Sequence, residues 1–188
     1  MKPKLSLKKI VVIGPESTGK STLCGYLADY YNTLWCPEFA REYLLKNGTA
    51  YTLEDLITIA KGQLDAQKNH TQLLQTQMNQ TGVVKPLIID TDMYVMKVWA
   101  EYVFGNCPTF ILDEINKQHF DLYLLCKPDI PWVNDELREY PDEKPRQELF
   151  QMSKDILINQ PTPWVEISGS FEVRNQKAVA VIDAILAN

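Results

Sequence analysis

The chain has 188 residues, 45% of them hydrophobic, and 19 Lys and Arg against 24 Asp and Glu give a net charge of −5. This size and composition predict one domain, residues 1–188, with a sizeable core. The acidic balance and the lack of a basic run argue against nucleic acid or an anionic membrane as the partner. No apolar run approaches the roughly 18 residues needed to cross a bilayer. The four cysteines show no C-x-x-C spacing, which indicates reduced thiols in a cytoplasmic protein.

A glycine-rich phosphate loop lies near the start of the chain. Residues 14–21 read Gly-Pro-Glu-Ser-Thr-Gly-Lys-Ser, between an apolar strand over 9–13 and a helix that ends near Asn32. This spacing and context predict a P-loop, whose backbone N–H groups hold phosphates while the lysine and serine serve the outer phosphates and Mg²⁺. The residues predicted to bind the nucleotide are Gly14, Glu16, Ser17, Thr18, Gly19, Lys20, Ser21 and Thr22.

The rest of the chain alternates short apolar strands with helices. Four more strands are predicted, over 34–37, 87–90, 122–126 and 164–167. Helices are predicted over 38–45, 52–80, 93–104, 110–118 and 172–186, with a possible break at 67–72 and coiled-coil pairing of 52–80 as an alternative. This order predicts an α/β P-loop NTPase fold: a five-stranded parallel sheet between helices.

A charged segment over 131–146 separates the last two strands and is followed by a helix. A connection of this length in a compact domain is usually either functional or disordered, and we predict a mobile lid. Its cations, Arg138, Lys144 and Arg146, are expected above the phosphate loop. Arg138 and Arg146 are therefore candidates to stabilise the transferring phosphate, with solvated surface charge as the alternative for each.

Two aspartates end the third strand. Asp90 stands where a Walker B carboxylate meets the Mg²⁺ shell, so Ser21 and Asp90 form the predicted metal site. Asp92 is a candidate to orient or deprotonate the acceptor hydroxyl, or to cap the following helix, and the two aspartates could exchange roles. Lys20 and Asp92, with the lid arginines, are the predicted catalytic residues.

The second strand ends at the sheet edge where open α/β sheets bind ligands. Glu38 and Arg41 follow it, three residues apart, and are predicted to bind the acceptor substrate together with Asp92; a surface ion pair is the alternative. One of the aromatic residues is expected to stack on a base, the candidates being Trp35, Trp99, Tyr102 and Trp132.

In combination, these motifs resemble the ribosylnicotinamide kinase domain of NadR-type NAD-salvage proteins. The motifs are the phosphate loop, Pro-Glu-Phe-Ala-Arg-Glu at 37–42, Ile-Asp-Thr-Asp at 89–92, and the lid opening at 128–138. The resemblance implies a kinase that uses ATP and Mg²⁺ to phosphorylate nicotinamide riboside to nicotinamide mononucleotide. It also implies a small-molecule partner and leaves a homo-oligomer possible.

Two alternatives stay open at this stage. One is a kinase for another nucleoside or nucleotide, because the acceptor pocket is the part that the sequence displays least clearly. The other is a P-loop ATPase switch that acts on a protein partner. A GTPase is disfavoured, because the residues 116–119 read Asn-Lys-Gln-His, lack the expected Asp and precede their strand.

Overall fold

The computed structural model describes residues 6–187 and is built around a five-stranded sheet. The strands are β1 (Lys8–Ile13), β2 (Trp35–Cys36), β3 (Pro86–Asp90), β4 (Leu122–Cys126) and β5 (Trp164–Ile167). Their order in the sheet is β2-β3-β1-β4-β5, and every pairing is parallel. The predicted parallel α/β sheet is confirmed.

Seven helices connect or follow these strands within residues 6–187. They are α1 (Lys20–Tyr30), α2 (Phe39–Asn47), α3 (Leu53–Thr81), α4 (Met93–Phe104), α5 (Thr109–Ile115), α6 (Glu143–Ile158) and α7 (Phe171–Leu186). The helix expected over 110–118 is shorter than predicted. The lid expected over 131–146 includes the first turn of α6, so its irregular part ends before Glu143.

The sheet is buried on both faces, as its apolar strands require. Because successive strand residues point to opposite faces, Ile10 and Val12 of β1 pack with α1 and α7, whereas Val11 and Ile13 pack with α3 and α6. A third cluster joins α2, α3, α4 and α5 beside the sheet. These three clusters form the core that holds the sheet edge in place.

Helix α3 is continuous over 29 residues, so the break considered at 67–72 does not occur. A capping box starts the helix: Thr52 Oγ1 accepts from Asp55 N, and Thr52 N donates to the Asp55 carboxylate. Its apolar stripe, which includes Leu56, Ile59 and Met78, is buried within the chain. The stripe therefore packs intramolecularly and does not supply the seam of a coiled coil.

The register of β1 and β3 sets the position of the phosphate loop. Val12 pairs with Asp90, so the loop that begins at Gly14 and the end of β3 lie at the same carboxyl edge of the sheet. Open α/β sheets bind ligands at this edge. None of the helices within residues 6–187 has the length and apolarity that a membrane span requires.

Candidate active site

The phosphate loop needs glycine at two positions. A Cβ at Gly14 would lie 2.5 Å from the carbonyl oxygen of Cys126, and Gly19 has φ of 76°, in the left-handed region. Within the loop, Thr18 Oγ1 and Lys20 Nζ both donate to the Pro15 carbonyl, at 2.7 and 2.9 Å. The loop is thus a folded unit that leads into the N-terminus of α1, an arrangement suited to binding phosphate.

Ser21 and Asp90, predicted to share a metal ion, lie in direct contact. Ser21 Oγ donates to Asp90 Oδ2 at 2.7 Å. Asp90 Oδ1 is buried and has no hydrogen-bond partner among residues 6–187. Burial, reinforced by the negative charge of Glu38, raises the pKa of Asp90 to about 6. An orphaned carboxylate oxygen beside a hydroxyl is a suitable donor set for Mg²⁺, which commonly binds one or two carboxylates together with substrate phosphates.

A cavity of about 240 Å³ adjoins the phosphate loop. Its polar lining includes Glu38, Arg41 and Arg138, so the structure brings these predicted residues together with the loop. Its apolar lining comes from α2, α4 and α6, namely Ala40, Leu44, Val95, Val98, Trp99 and Leu149. An apolar pocket with a few convergent polar groups is typical of a small-molecule site.

Asp92 is the N-cap of α4 and does not line this cavity. Its Oδ1 accepts from the backbone N–H groups of Tyr94, at 3.0 Å, and Val95, at 3.3 Å, and its Oδ2 accepts from the Tyr123 hydroxyl at 2.7 Å. Asp92 is fully buried, and burial raises its pKa to about 6. The capping interpretation therefore describes Asp92, whereas this position gives no support to the prediction that it orients the acceptor.

Glu38 and Arg41 do not form the ion pair considered as their alternative. Arg41 instead forms two hydrogen bonds of 3.1 Å with the carboxylate of Asp135, in the lid. These bonds hold the pKa of Asp135 below its usual value. Glu38 lines the cavity beside the loop.

The lid is attached to the phosphate loop by side chains that were predicted to bind phosphate. The Glu16 carboxylate accepts from the backbone N–H groups of Glu139, at 3.0 Å, and Tyr140. Ser17 Oγ accepts from Val133 N at 3.1 Å. Glu16 and Ser17 therefore use their side-chain oxygens to hold the lid, while their backbone N–H groups and the Ser17 hydroxyl hydrogen remain for phosphate.

The two lid arginines stack against one indole ring. The guanidinium carbons of Arg138 and Arg146 lie 5.8 and 5.5 Å from the ring centre of Trp132. Arg146, in α6, is buried, and two of its nitrogens lack partners among residues 6–187. Lys144 is 87% exposed, pairs with Glu148 on the same helix and does not line the cavity, so these contacts give no support to its predicted position above the loop.

Sequence reasoning missed the face of α4 and the residues that support it. Val95 and Val98 line the cavity beside the two predicted aromatic candidates that it contains, Trp99 and Tyr102. These four residues recur at intervals of three and four along α4, a spacing that indicates one helix face and could have predicted this wall of the cavity. Trp99 Nε1 donates to Tyr51 at 2.8 Å, a contact between distant segments that no local pattern indicates.

Arg174 of α7 was also missed. It is 2% exposed, and its guanidinium donates to the carbonyl oxygens of Thr18, Lys127 and Gly169 at 2.8–3.0 Å and pairs with Asp129. These bonds tie the phosphate loop to the ends of β4 and β5. A buried arginine with this many partners fixes the loop in place.

A glycine-rich loop at the carboxyl edge of a parallel sheet, leading into a helix and bordering a pocket, defines a P-loop nucleotide-binding protein. Residues 9–174 match the family described as AAA domain. Because this match covers most of the chain, the protein belongs to that family.

The chain is also similar to curated proteins. It is 27% identical over 165 residues to the trifunctional NAD biosynthesis/regulator proteins NadR of Escherichia coli (strain K12) and Salmonella typhimurium. The alignments cover 86% of this chain and 38% of each relative. The chain therefore spans well under half of the length of these relatives.

Solved structures confirm the fold. A NadR protein in complex with NR superposes with a TM-score of 0.74 at 22% identity, over 97% of this chain and 52% of that chain. The thymidylate kinase from Ehrlichia chaffeensis superposes with a TM-score of 0.64 at 15% identity, over 94% of this chain and 99% of that one. This chain therefore shares its fold with these two proteins.

Proposed function

We propose that the protein is an ATP-dependent kinase that phosphorylates nicotinamide riboside to nicotinamide mononucleotide. The observation that carries this proposal is the junction of a phosphate loop with an aromatic and acidic pocket, in a chain that is 27% identical to NadR over 86% of its length. NR, which we take to be nicotinamide riboside, is bound in a related structure. The alignment covers only 38% of the relative, so the proposal does not extend to activities of its remaining length.

On the donor side, the backbone of the phosphate loop and Lys20 hold the triphosphate. Ser21 and Asp90 would hold Mg²⁺, which would supply positive charge to offset the negative charge of the phosphates. In the described residues, no group of three or more His, Cys, Asp and Glu side chains forms a metal site by itself. A site completed by nucleotide phosphates is consistent with this finding.

On the acceptor side, Glu38 takes the role that the sequence suggested for Asp92. Its carboxylate would accept a hydrogen bond from the acceptor hydroxyl and receive its proton as phosphate is transferred. Trp99, Tyr102 and Tyr140 line the same cavity, with Glu139 beside them. Aromatic faces and a carboxylate favour a positively charged ring, such as the pyridinium of nicotinamide riboside.

An acceptor panel tests the proposal. ADP release from ATP is measured with nicotinamide riboside, with other nucleosides and nucleotides, and with water alone, and the product is identified by mass spectrometry. We expect turnover with nicotinamide riboside that greatly exceeds turnover with water. Turnover with another nucleoside only would change the substrate, and strong acceptor-independent turnover would favour an ATPase switch.

A further inference from the structure

The side chain of Gln63, in α3, is completely buried and does not line the cavity. Its Oε1 accepts from Phe39 N at 2.8 Å, and its Nε2 donates to the carbonyl oxygens of Asp90 and Thr91 at 3.2 and 3.1 Å. This amide thus connects three segments that are distant in sequence: α3, the start of α2 and the end of β3. A buried amide with both ends bonded constrains the groups that it joins.

Two of these bonds are made to the backbone beside two carboxylates: that of Glu38, which lines the cavity, and that of Asp90, which contacts Ser21. Phe39 N belongs to the peptide group that follows Glu38, and the Asp90 carbonyl belongs to the residue whose carboxylate contacts Ser21. Glu38 and Asp90 therefore depend on one side chain for their relative position. Neither carboxylate is touched by Gln63 directly.

The third bond restrains a strained residue. Thr91 has φ of 76°, in the left-handed region, which is unfavourable for a β-branched side chain. Its carbonyl oxygen accepts from Gln63 and also from Gln67, at 3.3 Å. This turn directs Asp90 toward Ser21 and Asp92 toward Tyr123, so relaxation of the turn would move both carboxylates.

The neighbouring Gly62 shows how closely α3 approaches α2. A Cβ at Gly62 would lie 2.2 Å from the ring of Phe39. No side chain larger than hydrogen fits at that position without displacing the ring. This close approach brings Phe39 N within hydrogen-bonding distance of Gln63. Tight packing thus holds α3 against the segment that carries Glu38.

We infer that Gln63 is a positioning residue that sets the separation of Glu38 and Asp90 for phosphoryl transfer. The inference rests on the proposed kinase function. Gln63 acts through the backbone at Phe39, Asp90 and Thr91. Its removal therefore reduces the rate of transfer more than it weakens the binding of nucleotide, which depends on the phosphate loop.

The test compares Gln63→Met with the matched control Gln67→Met, one turn further along α3. Both changes keep side-chain length and remove the amide, but Gln67 bonds only to Thr91 among these backbone groups. For each variant we would measure kcat, KM for ATP and acceptor, the thermal midpoint, and calorimetric affinity for a non-hydrolysable ATP analogue with Mg²⁺. The acceptor is whichever nucleoside the unaltered protein phosphorylates, so failure of the nicotinamide riboside proposal would leave this test intact.

We expect Gln63→Met to lower kcat by about 10- to 100-fold, a loss expected when reacting groups move by an ångström or less. Analogue affinity should stay within about threefold, and Gln67→Met should keep kcat within about threefold. A folded Gln63→Met protein with unchanged kcat, or an equal loss of analogue affinity and kcat, would overturn the inference. If Gln63→Met does not fold, Gln63→Glu, which keeps an acceptor for Phe39 N, is measured in the same way; failure of both to fold would show that the amide serves stability instead.

Discussion

At the scale of single residues, Lys20 of the phosphate loop can give up its bond to a backbone carbonyl and bind a phosphate oxygen instead. Its Nζ now bonds to the Pro15 carbonyl at 2.9 Å, and the lysine contributes nothing to the buried core. We predict that Lys20→Ala lowers kcat by about 100-fold or more, because a charge that stabilises the transferring phosphate is lost. The thermal midpoint should change little, and an active variant would refute the role of Lys20.

A second prediction tests which of two acidic residues, Glu38 or Asp92, accepts the proton of the acceptor hydroxyl. Glu38→Gln should lower kcat by about 100-fold, as expected for loss of a general base, with little change in KM for ATP. Asp92→Asn should lower kcat by less than about tenfold, since the side-chain oxygen can still cap α4. Steady-state kinetics of both variants decides between them, and the reverse order would restore the acceptor role to Asp92.

At the scale of elements, the lid is joined to the phosphate loop through the Glu16 carboxylate. Because this carboxylate bonds two lid N–H groups, Glu16→Ala should loosen the lid over the acceptor pocket. We predict that KM for the acceptor rises by at least about tenfold, because tenfold is about 1.4 kcal/mol and each hydrogen bond to a charged group is worth about 1.5–3 kcal/mol. Calorimetric affinity for an ATP analogue should change by less than about threefold.

The control for this prediction is Glu143→Ala, which removes an exposed carboxylate at the start of α6. Its kinetic constants should match those of the unaltered protein. If Glu16→Ala weakens the binding of the ATP analogue as strongly as that of the acceptor, the side chain serves the phosphate loop and not the lid.

Two helical glycines offer a matched test of packing. A Cβ at Gly62 would lie 2.2 Å from the Phe39 ring, whereas one at Gly25 in α1 would lie 3.6 Å from Trp35, an ordinary contact. We predict that Gly62→Ala destabilises the protein by about 1–3 kcal/mol through overpacking. Gly25→Ala should be neutral or stabilise by up to about 1 kcal/mol. Urea unfolding of both variants measures these changes, and equal effects would show that α2 and α3 are less closely packed.

At the scale of the whole molecule, the buried carboxylates make stability depend on pH. Burial raises the pKa of Asp92 from 3.8 to about 6, so the folded protein holds a proton that the unfolded chain releases between these values. The stabilising contribution is therefore complete below about pH 4 and is lost as pH rises through about 6. Asp92→Asn should remove a slope on the order of 1 kcal/mol per pH unit in this range.

Unfolding free energies at several pH values measure this slope. Tyr123→Phe is the informative companion, because its hydroxyl stabilises the charged form of Asp92. Its loss should raise the pKa of Asp92 further and extend the decline in stability to higher pH. Identical pH profiles for the unaltered protein and Asp92→Asn would show that Asp92 does not titrate in this range.

The parts of the molecule that local sequence determines were predicted well. Gly14–Ser21, the apolar strands and the parallel sheet follow from spacing and hydrophobicity within short windows. The partners of the site were not predictable in this way, because they join distant segments: Glu16 bonds residues 123 and 124 positions away. Asp92 shows the same limit, since both a cap and an acceptor base occur at a strand end. Its bonds to Tyr94 N, Val95 N and the Tyr123 hydroxyl, and its position outside the cavity, distinguish them.

The central claim is that the phosphate loop holds ATP while Glu38 meets the acceptor hydroxyl in the adjoining cavity. A crystal structure with a non-hydrolysable ATP analogue, Mg²⁺ and nicotinamide riboside tests this claim most directly. We predict that the analogue's phosphates lie against the backbone N–H groups of residues 14–21, with a ribose hydroxyl within hydrogen-bonding distance of Glu38. Analogue bound away from the loop, or a riboside outside the cavity, would contradict the account.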